Sequence, residues 1–441
     1  MVDNRVVSTT IASTTENLNK LTAFRQAVYN DLGPARDALF ELADAVLLMP
    51  HAQSLAELSE SPIFRRRWPS VYEAVQDSRV CNGALLRHYV GHVQPTWHGR
   101  VVLMGDHTAW SRVYARTLRD RTIEHQPNHI PNAKPITVGQ GYATLAWIPE
   151  AHGSWALPLL HERIASTSAP IERLAQQLEQ AIPHLAGRGV VLCDTEYGNA
   201  VFVKQTAQVA CDKLVRLRSN LCLRTAPPPY RGHGRPAVHG RKFKFRDART
   251  WGTPTPTLQV SDPELGQVTI RRWDNLHFQK AAPHGMTVIR IECDAPHLRR
   301  DRRVIWLAWL GSEAPPLADW WRLYFRRFAG DHWYRFAKQS LLWTRPRLKT
   351  PEQAERWSAL MPLLTWQLWL ARPIVYDKPR PWQKHQMSAR RTPGRVRQSL
   401  PALFMQIGTP AGAPKPRGKS PGWPTGCPRA KSPRFPIVRR C

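Results

Sequence analysis

Two short apolar runs, each closed by an aspartate, constrain this chain more than any other feature. Val101 to Gly105 (VVLMG) stops at Asp106, and Gly189 to Cys193 (GVVLC) stops at Asp194. Each run drives a strand into the core and leaves its terminal carboxylate at the sheet edge, where α/β sheets place their sites. Between and after them, Ile136 to Ile148 and Ser154 to His161 read as strands, Ile171 to Ile182 and Asn199 to Val209 as helices, and Leu214 to Leu217 as a further strand. Strands followed by alternating helix and strand predict a mixed α/β sheet flanked by helices.

The flanking regions differ in character. Residues 1–95 read as a helical domain, with periodic apolar positions over Leu18 to Leu32 and Ala35 to Met49 and a Gly33-Pro34 turn between them. Arg65, Arg66 and Arg67 precede Trp68-Pro69 there, so this unit either reads DNA ends or forms a packing or dimerisation layer. Residues 96–217 and 286–375 carry the α/β pattern, including strands at Thr287 to Cys293 and Val304 to Leu310, a long helix over Leu317 to Leu342 and a second over Pro351 to Ala371. The intervening 218–285 is rich in Pro, Gly, Arg and Trp and reads as a β-rich insertion. Residues 376–441 form a basic tail: from 378 onward it holds 15 Lys or Arg and no acid, and its Pro and Gly content predicts disorder. Within it, Gly412 to Gly426 is either a minor-groove binding segment or a solvated basic stretch.

Charge narrows the partner. Lys and Arg number 63 against 33 acids, a net charge of +30, and that excess points to a polyanion, above all nucleic acid. Seven cysteines form no CxxC pair, which predicts reduced thiols rather than a zinc finger or disulfide framework. No stretch approaches the ~20 apolar residues of a membrane span. The expectation is a cytoplasmic, nucleoid-associated protein.

The chemistry concentrates on the long helix. Tyr324, Arg327, Asp331, Arg335 and Lys338 lie at offsets 0, 3, 7, 11 and 14. At about 100° per residue, a helix holds all five within an arc of roughly 80°. A phenol, an acid and three cations on one stripe suit a metal ion beside a phosphate backbone. Asp106, Asp194 and Asp331 together would make an oxygen-rich cage for Mg²⁺, and two such ions can activate an attacking hydroxyl and stabilise a leaving oxygen. Taken singly, Asp106 and Asp194 could each be a turn or helix cap, and Asp331 an intrahelical ion pair with Arg327 or Arg335.

Tyr324-x2-Arg327-x3-Asp331-x6-Lys338 resembles the Y-x2-R-x3-E-x6-K signature of the insertion-sequence-four superfamily of DDE transposases, apart from one acid. GDHT around Asp106 is similar to that superfamily's first-aspartate motif, and CDTEYGN around Asp194, with Tyr197, to its second. PPPYRGHGRP (227–236) and WTRPRLKTPEQAERW (343–357) also resemble family sequence. The resemblance implies an RNase H-like fold with an insertion between the second and third acids. It implies a transposase that binds the terminal inverted repeats of its element, cuts double-stranded DNA with two Mg²⁺ ions (Mn²⁺ substituting) and joins the ends to a target. A homodimer would bring two ends together. Asp106, Asp194 and Asp331 would be the catalytic metal ligands, and Tyr324, Arg327 and Lys338 would hold phosphates; Arg335 joins them on geometry. The family's third acid is Glu. Aspartate sets its carboxylate roughly 1.5 Å nearer the backbone, against a tolerance of a few tenths of an ångström in metal–oxygen distance. The alternative is therefore a catalytically impaired, transposase-derived DNA-binding protein. Finally, 18 tryptophans raise the idea of a base-trapping platform at Trp251, Trp273 or Trp333.

Overall fold

The computed structural model describes residues 4–126, 135–230, 232–263, 265–294 and 303–440, except 417, 419–421, 423 and 429–430, with side chains from residue 13 onward. The Gly412–Gly426 segment thus lies partly outside the described residues, as do Arg231 and Cys441. In chain order the elements are α1 (Asn4–Asn30), α2 (Arg36–Leu48), α3 (Leu55–Leu58), α4 (Pro69–Asp77), α5 (Asn82–Val90), β1 (Val101–Ser111), β2 (Arg121–His125), β3 (Ile136–Trp147) and β4 (Leu157–Ile164). There follow α6 (Pro170–Ala181), β5 (Gly189–Cys193), α7 (Ala200–Gln205), β6 (Cys211–Leu217), β7 (Cys222–Arg224), β8 (Lys242–Lys244), β9 (Thr257–Asp262), β10 (Gly266–Leu276), β11 (Met286–Cys293) and β12 (Val304–Leu310). The last are α8 (Trp320–Phe325), α9 (Phe328–Gln339), α10 (Pro351–Ala371), α11 (Pro393–Ile407) and β13 (Ile437–Val438).

The two apolar runs lie side by side at the centre. β1 pairs in parallel with β5, from Val101↔Gly189 to Gly105↔Cys193, and β5 in parallel with β6. On the other flank β1 is antiparallel to β3, and β3 to β4. The order β4-β3-β1-β5-β6, with three antiparallel strands followed by two parallel ones, is an RNase H-like mixed sheet flanked by helices. The sheet continues from β6 through β12, β11, β10 and β9, so strands of the β-rich insertion extend it, while β7 and β8 form a separate hairpin.

Helix α10 is buried nearly all round because it is enclosed on every side: it packs on β4 and against α1, α2, α4, α5 and α11. The N-terminal helices and the sheet therefore share one apolar core. A polar knot lies inside it. Arg25 donates to Asp44 Oδ1 and Oδ2 at 2.8 and 2.7 Å, to Gln367, and to Gly408 O at 3.0 Å, and its guanidinium lies 4.2 Å from the Phe404 ring centroid. A buried carboxylate is tolerable only with such complete pairing.

Three expectations need correction. β1 does not stop at Asp106 but runs to Ser111, because β3 continues to pair with it after β5 has ended. The helix expected over Leu317 to Leu342 is two helices: at Arg326 and Arg327 the chain tightens to i→i+3 bonds (Arg326 N to Leu323 O, Arg327 N to Tyr324 O). The tail is not disordered throughout. α11 starts with a Thr392 cap and a first-turn proline and buries Val396, Leu400 and Phe404 against the core. Its Arg397 donates to Val46 O and Leu47 O, capping the C-terminus of α2. β13 pairs with β2 at the sheet edge.

Candidate active site

Strand alternation sets one face of β1 against the 327–344 segment. Gly330 of α9 lies so close to Met104 that an added Cβ would come within 2.2 Å of its Sδ. Two residues on, Asp106 Oδ2 accepts from Arg327 at 3.0 Å; Thr108 Oγ1 accepts from Lys338 Nζ at 2.8 Å; and Trp110 Nε1 donates to Thr344 O at 3.1 Å. The even-numbered side chains of one strand thus fix the height and rotation of α9.

Asp106 is buried, with Oδ1 accepting from the His107 backbone. Burial, reinforced by Asp194 and opposed by Arg327 and His107, pushes its carboxyl up to about 6. Asp194, just beyond β5, accepts from Glu196 N at 2.9 Å with one oxygen. The cap reading thus holds for that oxygen; the other has no hydrogen-bond partner among the described residues. Asp331 sits exposed in the first turn of α9 and makes no hydrogen bond or ion pair among the described residues, so no bridge to Arg327 or Arg335 forms. Arg327 is the point the three acids share. Its own burial, which disfavours the charge, is outweighed by Tyr324, Asp106, Asp331 and Asp194, and it stays a firm cation.

The expected stripe is split in depth. Tyr324 and Arg327 are buried, Lys338 is half-buried, and Asp331 and Arg335 face solvent. The tighter winding at 326–327 advances the chain by more than 100° per residue, so a stripe laid out for an uninterrupted helix drifts off the interface. Burial draws the Lys338 ammonium down to about 8. It faces a cavity of about 220 Å³ lined also by Thr108, Ser111, His125 and Thr344.

Several contributors carry no spacing signal. Tyr197, Tyr324 and Tyr334 are buried, and their hydroxyls lack a partner that meets hydrogen-bond geometry; so do Arg327 Nε and His107 Nδ1. Asp106 acts electrostatically on Tyr197 and Tyr334, and burial holds both phenols well above their ordinary range. His107 Nε2 lies 3.5 Å from Glu196 Oε2, tying the two aspartate loops together. His107, Thr108 and Glu196 flank the aspartates in the quoted motifs, the only available hint; Tyr334 has none. Beside Asp106 on β3, Thr144 hydrogen-bonds His161 Nδ1 at 2.8 Å, and burial takes that imidazole down to about 3. Trp273 and Trp333 are core residues, and Trp333 Nε1 donates to Thr365. Trp251 is half-buried against Phe243 and Arg290 and donates to Lys244 O. None of the three offers a free ring face for a base.

The donor chemistry at Asp106 and Asp194 fits a divalent cation. Two hard oxygen donors, Asp106 within β1 and Asp194 just beyond β5, lie on neighbouring strands, and burial together with Asp194 raises the Asp106 carboxyl. No group of three or more His, Cys, Asp and Glu among the described residues is arranged to hold a metal ion, so the third carboxylate does not converge with these two here.

An RNase H-like sheet carrying one acid within β1 and one just beyond the adjacent β5 defines the class of fold. The sequence profile of the DDE superfamily endonucleases matches residues 27–277, more than half of the chain, and the chain belongs to that family. The match takes in Asp106 and Asp194 and ends before Asp331. A comparison with curated proteins finds no match. The family carries a transposase- or nuclease-like activity on DNA, and its members use divalent metals. Among the described residues, no helix is long and apolar enough to cross a membrane.

Proposed function

We propose that this protein is a transposase similar to those of the insertion-sequence-four superfamily, binding the terminal inverted repeats of its element and catalysing Mg²⁺-dependent cleavage and strand transfer. The observation that carries the reading is the buried Asp106, paired with Arg327 and repelled by Asp194 at the carboxyl edge of β5. Asp106 and Asp194 would hold the metal, and Asp331 would supply the third carboxylate from the solvent side. A pair of Mg²⁺ ions held there would supply an activated hydroxyl nucleophile and charge stabilisation at the leaving oxygen. The chain's own residues do the positioning. Arg327 keeps the carboxylates oriented and presents an unpaired Nε edge. Tyr324 adds a phenol beside Arg327, and Lys338, with hydroxyls from Thr108, Ser111 and Thr344, lines a pocket suited to a phosphate. Arg335 meets the backbone from outside. A dimer holding two DNA ends follows from the reaction.

A second reading is a catalytically impaired DNA-binding derivative. The exposure and isolation of Asp331 favour it. Incubating the protein with DNA carrying its element's ends, with and without Mg²⁺ or Mn²⁺, separates the two. Metal-dependent nicking at the ends, lost in Asp106→Asn, supports the transposase. Binding without nicking, with cutting restored by Asp331→Glu, supports the impaired form. Cleaved ends that never join to a target would reduce the reading to a nuclease.

A further inference from the structure

The segment after α10 presents large apolar rings to solvent from a rigid base. Arg395 donates to both oxygens of Asp377, at 2.6 and 3.0 Å, and Gln386 N donates to the same carboxylate at 2.7 Å. Arg391 donates to Val375 O at 2.7 Å, Arg372 to Ser388 O at 2.8 Å, and Trp155 Nε1 to Arg391 O at 2.7 Å. Both ends of the 376–391 loop are thereby stapled to the core. Its only acid, Asp377, is consumed by these bonds with its side chain at 0 % exposure.

What the loop displays has a different chemistry. Trp382 and Tyr376 are each 75 % exposed and Met387 is 72 % exposed. Arg380 lies over the Trp382 ring at 5.6 Å, and His385 packs edge-on against Tyr376 at 6.2 Å. Lys378, Arg380, Lys384 and Arg390 are exposed, and the loop itself carries no acid besides Asp377. Three large side chains exposed on one short loop form a local cluster rather than singly scattered apolar residues. Rings separated by cations do not make the continuous apolar patch of a protein interface, whose centre is depleted of Lys. They match single-stranded nucleic acid, in which cations track phosphates and each base offers a face for stacking.

We infer that the 376–391 loop is a second DNA-contact surface, in which Trp382 stacks on an unpaired base and Arg380 and Lys384 hold the flanking phosphates. This rests on the reading of DNA as substrate and adds a surface outside the carboxylate site. The loop docks beside Trp155, just before β4. His161, level with Asp106 through Thr144, lies six residues along. At ~3.3 Å per residue, the point where Arg391 meets Trp155 lies about 20 Å along the chain from His161.

The test measures binding of the full chain to fluorescent DNA by anisotropy without divalent metal, comparing a blunt duplex with the same duplex bearing a single-stranded overhang. Trp382→Ala should weaken overhang binding on the order of 10- to 100-fold and blunt binding far less, with Tm unchanged; Trp382→Phe should restore most of it. Arg380→Ala and Lys384→Ala should each lower the salt slope of log K by about 1. Equal affinity of Trp382→Ala and the native chain for both DNAs overturns the inference, whether or not the native protein cuts. Loss of affinity in Trp382→Ala from a native protein that binds but never cuts leaves this surface standing while the transposase reading falls. Unchanged DNA binding together with lost binding to phosphatidylserine vesicles would make it a membrane contact and overturn the inference equally.

Discussion

Two of the buried arginine–aspartate pairs among the described residues are built to opposite ends. Around Arg25 and Asp44 both carboxylate oxygens are taken, the guanidinium also meets Gln367 and Gly408, and the Phe40 and Phe404 rings flank it. Around Arg327 and Asp106 a single 3.0 Å bond joins the pair, His107 N holds the other carboxylate oxygen, a second carboxylate lies nearby, and Arg327 Nε and the Tyr197 hydroxyl have no hydrogen-bond partner among the described residues. The first pair is closed and holds the fold together. The second keeps unpartnered donors beside a second negative charge. Burial raises both carboxyls, so burial alone does not separate a structural pair from a functional one; completeness of pairing does.

Four substitutions probe that contrast, ordered by expected effect on stability. Arg25→Met strands a buried carboxylate and should cost about 3–5 kcal/mol in denaturant unfolding, enough to threaten folding. A loss under 1 kcal/mol would mean the closed pair is not needed for the fold.

Asp106→Asn should act in the other direction. Folded Asp106 keeps its proton to about 6, while the unfolded chain gives it up near 3.8. Native stability therefore falls as pH rises through that window, by up to about 3 kcal/mol. The Asn variant should lack this slope. It should also fail to gain Tm from Mg²⁺ at pH 8, whereas the native chain gains. Parallel pH profiles for the two proteins would show that Asp106 is not the strained group.

Gly330→Ala forces a Cβ against Met104 and should cost about 1–3 kcal/mol, with Met104 yielding part of the way. Because the same shift carries α9 off β1, end cleavage should fall more steeply than stability. Retained cleavage with lowered Tm would argue that the height of α9 does not matter. Arg335→Ala should leave Tm within about 0.5 kcal/mol equivalent, as expected for an exposed side chain, and lower the salt slope of DNA binding by about 1. An unchanged slope would place Arg335 off the DNA path.

The sequence announced the frame of this fold more clearly than its joints. VVLMGD and GVVLCD predicted buried strands, and α10 was expected over the residues it occupies, Pro351–Ala371, since long apolar elements are specified by many residues at once. The break at Arg326–Arg327 was invisible because both residues stay in the right-handed helical region, without Gly or Pro to mark the tightening. α11 was hidden for a different reason. Val396, Leu400, Leu403 and Phe404 carry helical spacing, but Pro393, Pro401 and the surrounding cations gave the stretch the composition of a solvated tail. The basic run at 65–67 left DNA reading and packing both open. Arg65 and Arg66 pair with buried Glu41 and donate to the Ala411 and Gly412 carbonyls, an arrangement only the tertiary fold supplies. At the site, residue types and spacing gave the candidate acids and cations, but not their depth, which depends on how α9 is wound.

The reach of α11 back to α2 also affects the order of events during synthesis. Arg397 supplies the donors for the last carbonyls of α2, and Gly408 supplies the last acceptor for Arg25. Chains generally fold from the N-terminus as they emerge, yet here the first helices remain polar and unfinished inside until some four hundred residues have been made. A ribosome-bound chain would hold the central strands β1 to β12 complete while its opening helices stay loose. Those helices would thus reach their final packing only once α11 has emerged.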